Sequence, residues 1–259
     1  MAAEPATSNA AAFWDRMAAR YARMAVADPA AWEATLARVA ARLGPGDRVL
    51  EIGCGTGAAA IRLAPQVAGY TATDLSPRMI ALARARPEAA SLPHLAFEVA
   101  EATGADVAGP GVAATDTTAK DTAAKDTAAN DITATDIITA TDITGPSHAN
   151  PPPGPAPLDA ILAFNLLHLL PDLPAALAAL HARLRPGGLL LTKTPCLAEL
   201  SPFLRLVVPA LRLLGLAPRV AWLRRDGLEA AIAAAGFEIL ETADLPARRA
   251  QRYIAARRP

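Results

Sequence analysis

Nine residues constrain this chain more than any others: Val49-Leu50-Glu51-Ile52-Gly53-Cys54-Gly55-Thr56-Gly57. An apolar run passes directly into three glycines, and a helical segment at 57–67 follows. Gly53 can take backbone angles that other residues avoid. Gly55 carries no Cβ, so a ligand can lie close to the main chain. Gly57 lets the helix start against the sheet, with unpaired N–H groups facing whatever binds there. The segment also fits the dinucleotide pattern G-x-G-x-x-G/A, which alone is a weak signal.

The rest of the chain keeps the same rhythm. Residues 9–24 and 30–43 read as helices, with Asp28 and Pro29 supplying the cap and start signals between them. GYTATDL is the next strand, and SPRMIALARAR a helix capped by Ser76 with Pro77 in its first turn. LAFEVAEA and LDAILAFN are strands, LPAALAALHARL a helix, PGG a turn and LLLTKTP another strand. Residues 226–235 form a helix ended by Gly236, and FEILETAD and RRAQRYIAARR a terminal antiparallel pair. Strands alternating with helices predict an α/β fold, a doubly wound, mostly parallel sheet with ligands at the carboxyl ends of its strands.

One stretch breaks this rhythm. Residues 104–157 contain no Leu, Phe, Trp, Tyr or Met, and their centre repeats as DTTAK, DTAAK, DTAAN, DITAT. A five-residue period suits neither a helical stripe nor strand alternation, and five prolines close the segment. So little large apolar surface predicts a disordered insert, with an Ile-studded solenoid or helical arm as the alternative. The insert carries seven Asp against two Lys, a net −5. The zero balance of 25 basic and 25 acidic residues is therefore a cancellation, and the remainder is +5. The predicted division is an N-terminal helical cap at 1–43, a catalytic domain at 44–103 and 158–259, and the insert at 104–157.

Composition excludes several classes. A neutral chain is not built as a dedicated nucleic-acid binder, and 53% hydrophobic residues oppose global disorder. Two cysteines make no disulfide framework, and no secretory leader or membrane-spanning run is visible, so a cytoplasmic protein is expected. Residues 197–223 are apolar with isolated arginines. They read as a lid over a lipophilic acceptor or as helices completing the core. Contact with a membrane surface is the weaker expectation, for want of a charge-rich opposite face.

The residues after the strands sharpen the site. Asp74 ends the second strand, where an acid accepts ribose hydroxyls. Glu101 ends the third, where it can accept from an exocyclic amine while the Ala102 N–H donates to a ring nitrogen. With VLEIGCGTG, DLSPRMIALARAR and LDAILAFNLLHLLPD followed by LRPGGLLLTKTPCL, the chain resembles class I S-adenosylmethionine-dependent methyltransferases. Among them it is similar to the small-molecule group of ubiquinone and menaquinone biosynthesis, over roughly 12–103 and 158–256. The resemblance implies the Rossmann-like methyltransferase fold, a seven-stranded sheet whose last strand is antiparallel. It implies S-adenosylmethionine as cofactor and a small, lipophilic or aromatic acceptor, with no nucleic-acid partner. Gly53, Cys54 and Gly55 would line the methionine part, Glu51 orient it through water, and Asp74 bind ribose. Leu75 and Met79 would pack on adenine, Glu101 and Ala102 read its edge, Asn165 face the methyl group, and Tyr21 cap the cofactor. Against these stand ordinary readings: packing for Cys54, Met79 and Tyr21, and a solvated strand end for Glu101. His168, in NLLHLLPD, is the candidate general base, with a loop-orienting role as its rival. No spacing suggests a metal site. The rival functions are an NAD(P)-dependent oxidoreductase using the same glycine loop and a non-catalytic cofactor-binding protein.

Overall fold

The computed structural model describes residues 6–102, 156–201, 203–246 and 250–259. Of the predicted insert, only 156 and 157 fall among them, so both readings of that segment lie outside the described residues.

The elements run α1 (Ala6–Ala22), α2 (Pro29–Ala40), β1 (Arg48–Ile52), α3 (Ala58–Leu63), β2 (Gly69–Asp74), α4 (Pro77–Arg84), β3 (Leu95–Val99), β4 (Leu158–Phe164), α5 (Leu173–Arg183), β5 (Leu184–Pro195), α6 (Leu204–Leu213), α7 (Arg225–Ala234), β6 (Glu238–Asp244) and β7 (Gln251–Arg257). One seven-stranded sheet has the order β3-β2-β1-β4-β5-β7-β6. The first five of these neighbours are parallel, and β7 is antiparallel to both β5 and β6. The chain thus has the α/β fold that its alternating pattern predicts.

Alternation along the strands builds two apolar layers. Val49, Tyr70, Ala72, Leu162 and Leu191 pack with Leu36 and Val39 of α2, Leu63 of α3 and Ile80 of α4. Their neighbours Leu50, Ile52, Ile161 and Leu190 face the other way, onto Leu173, Leu177 and Leu180 of α5 and Leu228 and Ile232 of α7. Both faces are covered, which is why these strands read as continuous apolar runs rather than alternating ones.

The caps form where the sequence placed them. Asp28 Oδ1 accepts from the Ala31 N–H at 2.9 Å, and Ser76 Oγ from the Met79 N–H at 3.1 Å. At the end of α7 the Gly236 N–H donates to the Ala233 carbonyl and the Phe237 N–H to that of Ile232. Gly236 stands at φ +93°, the left-handed residue that this helix ending requires.

Two readings change. Pro186-Gly187-Gly188 is not a free turn before its strand but an irregularity within β5. Pairing with β4 jumps from Leu158–Leu184 to Ala160–Leu189, and the extra residues are accommodated with Gly187 at φ +80°. The helix predicted at 57–67 is shorter, since a tight turn at Ala64–Gln66 around Pro65 replaces its last part.

Candidate functional site

A cleft of about 530 Å³ opens at the carboxyl ends of β1, β2, β3 and β4, where open α/β sheets bind ligands. The glycine loop forms its floor. Gly53, at φ +67°, follows β1; a Cβ there would stand 2.7 Å from Leu166 Cδ1. Gly57, at φ +75°, precedes α3, and a Cβ there would stand 2.7 Å from the Phe97 ring. Glycine is thus required at both positions by conformation and by space. The Cys54 N–H donates to the Thr73 carbonyl at 2.9 Å, tying the loop to β2.

Asp74 lies at the centre of this arrangement. Its Oδ2 accepts from the Gly55 N–H and its Oδ1 from the Ser76 N–H, both at 2.9 Å. Each oxygen keeps a further lone pair for a ligand hydroxyl. Burial pushes its pKa up, against the pull of those two N–H bonds.

The helix α1 forms one wall, with Phe13, Trp14, Arg16 and Tyr21 lining the cleft. Phe13 and Trp14 meet edge to face at 5.2 Å, as do Trp14 and Tyr21 at 6.5 Å. Burial and the nearby carboxylates of Asp74 and Glu51 raise the pKa of the Tyr21 phenol. Asp15 fastens this helix down, accepting from the Ser76 hydroxyl and, at 3.0 Å, from the Arg78 N–H at the start of α4.

Nine of the residues proposed from sequence line the cleft together: Tyr21, Gly53, Gly55, Asp74, Leu75, Met79, Glu101, Ala102 and Asn165. Asn165 follows β4 at φ +52°, a left-handed conformation that asparagine tolerates better than most residues. Glu51, Cys54 and His168 do not line the cleft. Glu51 is buried behind the loop, accepting from the Tyr70 hydroxyl at 2.8 Å. Burial raises its pKa to about 8, which Tyr70 opposes and Asp74 reinforces. Cys54 is buried too, and desolvation holds its thiol well above the usual range; such a thiol is inert.

His168 departs most from its predicted position. The chain leaves Asn165 in a tight turn at Leu167–Leu169, which repeats every three residues. Leu166 and Leu169 therefore share the cleft side while Leu167 and His168 turn inward. Burial lowers the His168 pKa to about 4, and its carbonyl accepts from the Ala221 N–H.

The sequence did not reveal the lining by Leu166, Leu169, Leu170, Ala175 and Ala176. Arg212, Gly215, Ala217, Pro218 and Arg219 also line the cleft, and they belong to the 197–223 segment that the sequence sets over the site. Leucines in an apolar turn look like core in sequence, and only the turn's geometry separates the two kinds. Among the described residues no group of three or more His, Cys, Asp or Glu is placed to hold a metal.

A doubly wound sheet with this glycine loop and an acid after β2 defines a nucleoside-cofactor site. The order of its last two strands narrows the class. Residues 20–242 match the family model described as a methyltransferase domain, and the chain belongs to that family. It is an S-adenosylmethionine-dependent methyltransferase, and the oxidoreductase reading of the loop is set aside. No curated protein sequence matches the chain. Among solved structures it is similar to magnesium protoporphyrin IX methyltransferase (ChlM) from Synechocystis PCC 6803, at 15% identity and TM-score 0.61, covering 100% of both chains. It is also similar to the N-methyltransferase NodS from Bradyrhizobium japonicum WM9, at 17% identity and TM-score 0.54, covering 90% of this chain and 98% of that one. The [4+2]-cyclase SpnF shares the fold at 19% identity and TM-score 0.55, covering 88% of this chain and 80% of that one. Such a range of names on one fold shows that the fold does not fix the reaction.

Proposed function

We propose that this chain methylates a small, largely apolar acceptor held in the cleft beside Leu166, Leu169 and Leu170. The observation that carries this reading is the division of the cleft. Its loop side is backbone and carboxylate, at Gly53, Gly55 and Asp74, whereas Leu166, Leu169, Leu170, Ala175 and Ala176 give it an aliphatic patch, with Asp172, Arg212 and Arg219 also in the lining.

When bound, S-adenosylmethionine supplies a methyl group already activated by its positive sulfur. Asp74 fits such a cofactor because both carboxylate oxygens are fixed by N–H groups and still have acceptor capacity. In this reading Asp74 holds the ribose hydroxyls, and Leu75 and Met79 pack against the adenine. Glu101 and the Ala102 N–H read the adenine edge, and Gly53 and Gly55 allow close backbone approach. Asn165 and Glu51 orient the methionine end, and Tyr21 covers it from α1. The aliphatic wall excludes water and aligns the acceptor. Alignment of this kind is worth roughly 7–11 kcal/mol of barrier at best.

His168 serves this site as a positioning residue. Its buried, weakly basic imidazole lies off the cleft, and its carbonyl anchors the strand of chain that carries Arg219. The two free, buried cysteines suit a reducing compartment such as the cytoplasm. Incubating the protein with donor labelled in its methyl group and a panel of quinols, phenols and lipid extracts tests the reading. Label should move into an apolar product. Transfer only to polar amines or to macromolecules would refute the acceptor assignment.

A further inference from the structure

The helix α6 is apolar on two faces. Leu204, Val207, Val208 and Leu211 are intermediate in exposure and share one face at i, i+3, i+4, i+7 spacing. A second stripe points away from it. Phe203 is 67% exposed, Leu206 74% and Leu213 89%, and these follow one another at helical spacing. Leu214 and Leu216 extend the same patch past the helix end, also exposed. Soluble monomers seldom leave contiguous aliphatic surface of this kind uncovered.

The charge around the stripe has one sign. Between Glu199 and Asp226 there is no acidic residue; Arg224 and Arg225 pair with Asp226, Glu199 and Asp244, and Arg205, Arg212 and Arg219 are the other basic residues of the stretch. Arg205 and Arg212 stand seven residues apart, on one flank of the exposed stripe. The patch also continues into the cleft, since Arg212, Gly215, Ala217, Pro218 and Arg219 line its mouth. Among the described residues no helix is long and apolar enough to cross a membrane, so this surface suits an element lying on a bilayer rather than through it.

We propose that Phe203, Leu206, Leu213, Leu214 and Leu216 insert into the surface of an anionic lipid bilayer, with Arg205 and its neighbours engaging the headgroups. A short helix with an exposed apolar stripe and a basic flank binds lipid by both contributions together. The cleft mouth then opens at the membrane surface. This docking stands independently of which acceptor is methylated.

Co-sedimentation of the full chain with two kinds of vesicle tests it, one of phosphatidylcholine alone and one of phosphatidylcholine mixed with phosphatidylglycerol. The protein should pellet with the mixed vesicles and not with phosphatidylcholine alone, and added salt should release it. The double variant Leu206→Ser/Leu213→Ser should partition more than tenfold less. Donor affinity by calorimetry should be unchanged, because neither leucine lines the cleft. Arg205→Ser, a fully surface change, should lower partitioning about fivefold. Equal partitioning of wild type and both variants would overturn the proposal. So would a wild-type dimer in sedimentation velocity that fails to bind vesicles and dissociates in the double variant, since the stripe would then be a self-association face.

Discussion

Glu51 is an acid in a place that does not favour charge. It is buried behind the glycine loop with the Tyr70 hydroxyl as its partner, and its pKa is raised to about 8. In an unfolded chain the same group titrates near 4.5. Between those two values the folded state holds a proton that the unfolded state has lost, so stability falls as pH rises. The contribution is fully present below about 4.5 and gone above about 8. Urea midpoints measured across this window should therefore decline in the wild type, and the decline should be shallower in Glu51→Gln. An identical slope in both proteins would show that Glu51 is ionised when buried. Asp74 makes the opposite kind of contribution, to the ligand. Asp74→Ala should weaken donor binding by more than tenfold in a calorimeter, as loss of a charge-assisted pair of hydrogen bonds implies. Unchanged affinity would mean the ribose lies elsewhere. Gly53→Ala should cost stability as well, by about 1–3 kcal/mol, from the left-handed backbone and the crowding of Leu166; a thermal melt indistinguishable from wild type would argue against that strain.

At the scale of elements, α1 is where sequence reading and structure differ most in value. Its tyrosine was identified in the sequence, but its fastening was not. Asp15 reaches across to the Ser76 hydroxyl and the Arg78 N–H, 61 and 63 residues away, and such a long-range partner leaves no local pattern. Asp15→Ala should leave the sheet intact while loosening α1, the wall that holds Phe13, Trp14 and Tyr21. Its signature would be faster amide exchange in α1 together with weaker donor binding. Exchange confined to wild-type rates would refute the clasp. The strands, by contrast, were legible because burial on both faces writes itself as continuous apolar runs, as in LDAILAF. The caps at Asp28 and Ser76 were legible because they act within three residues. The cleft wall of Leu166 and Leu169 and the inward turn of His168 were not. A three-residue turn decides which side chains face the ligand, and LLHLL has no polar residue to mark that choice. For 197–223 the apolar run with isolated arginines was legible, but which of its leucines face outward was not, because Leu, Val and Ala on every side of a helix mark no exposed face.

At the scale of the molecule, the connection from β3 to β4 sets a geometric condition on the acidic repeat. These strands are parallel within one sheet, and β2 and β1 lie between them. Three strand spacings amount to about 14 Å, and the chain must also return roughly 20 Å from the carboxyl end of one strand to the amino end of the other. It must pass over a layer of packed side chains on the way, which is why parallel crossovers need about a dozen residues or more. Excising 106–155 outright leaves 100–105 and 156–157, eight residues, whose nine steps from Val99 to Leu158 reach at most about 32 Å. That covers the straight-line distance of roughly 25 Å and leaves little for the detour. The β3–β2 pairing, from Tyr70–Leu95 to Asp74–Val99, would then be strained, and with it Asp74. We therefore expect two outcomes from one pair of proteins. Replacing 106–155 by a flexible Gly-Ser linker of about ten residues should retain the wild-type melting profile and donor affinity. The bare excision should melt earlier and bind donor more weakly. If the linker variant also failed to fold, the repeat would be a structural part of the domain. If the bare excision matched wild type, the crossover would be shorter than the sheet order requires.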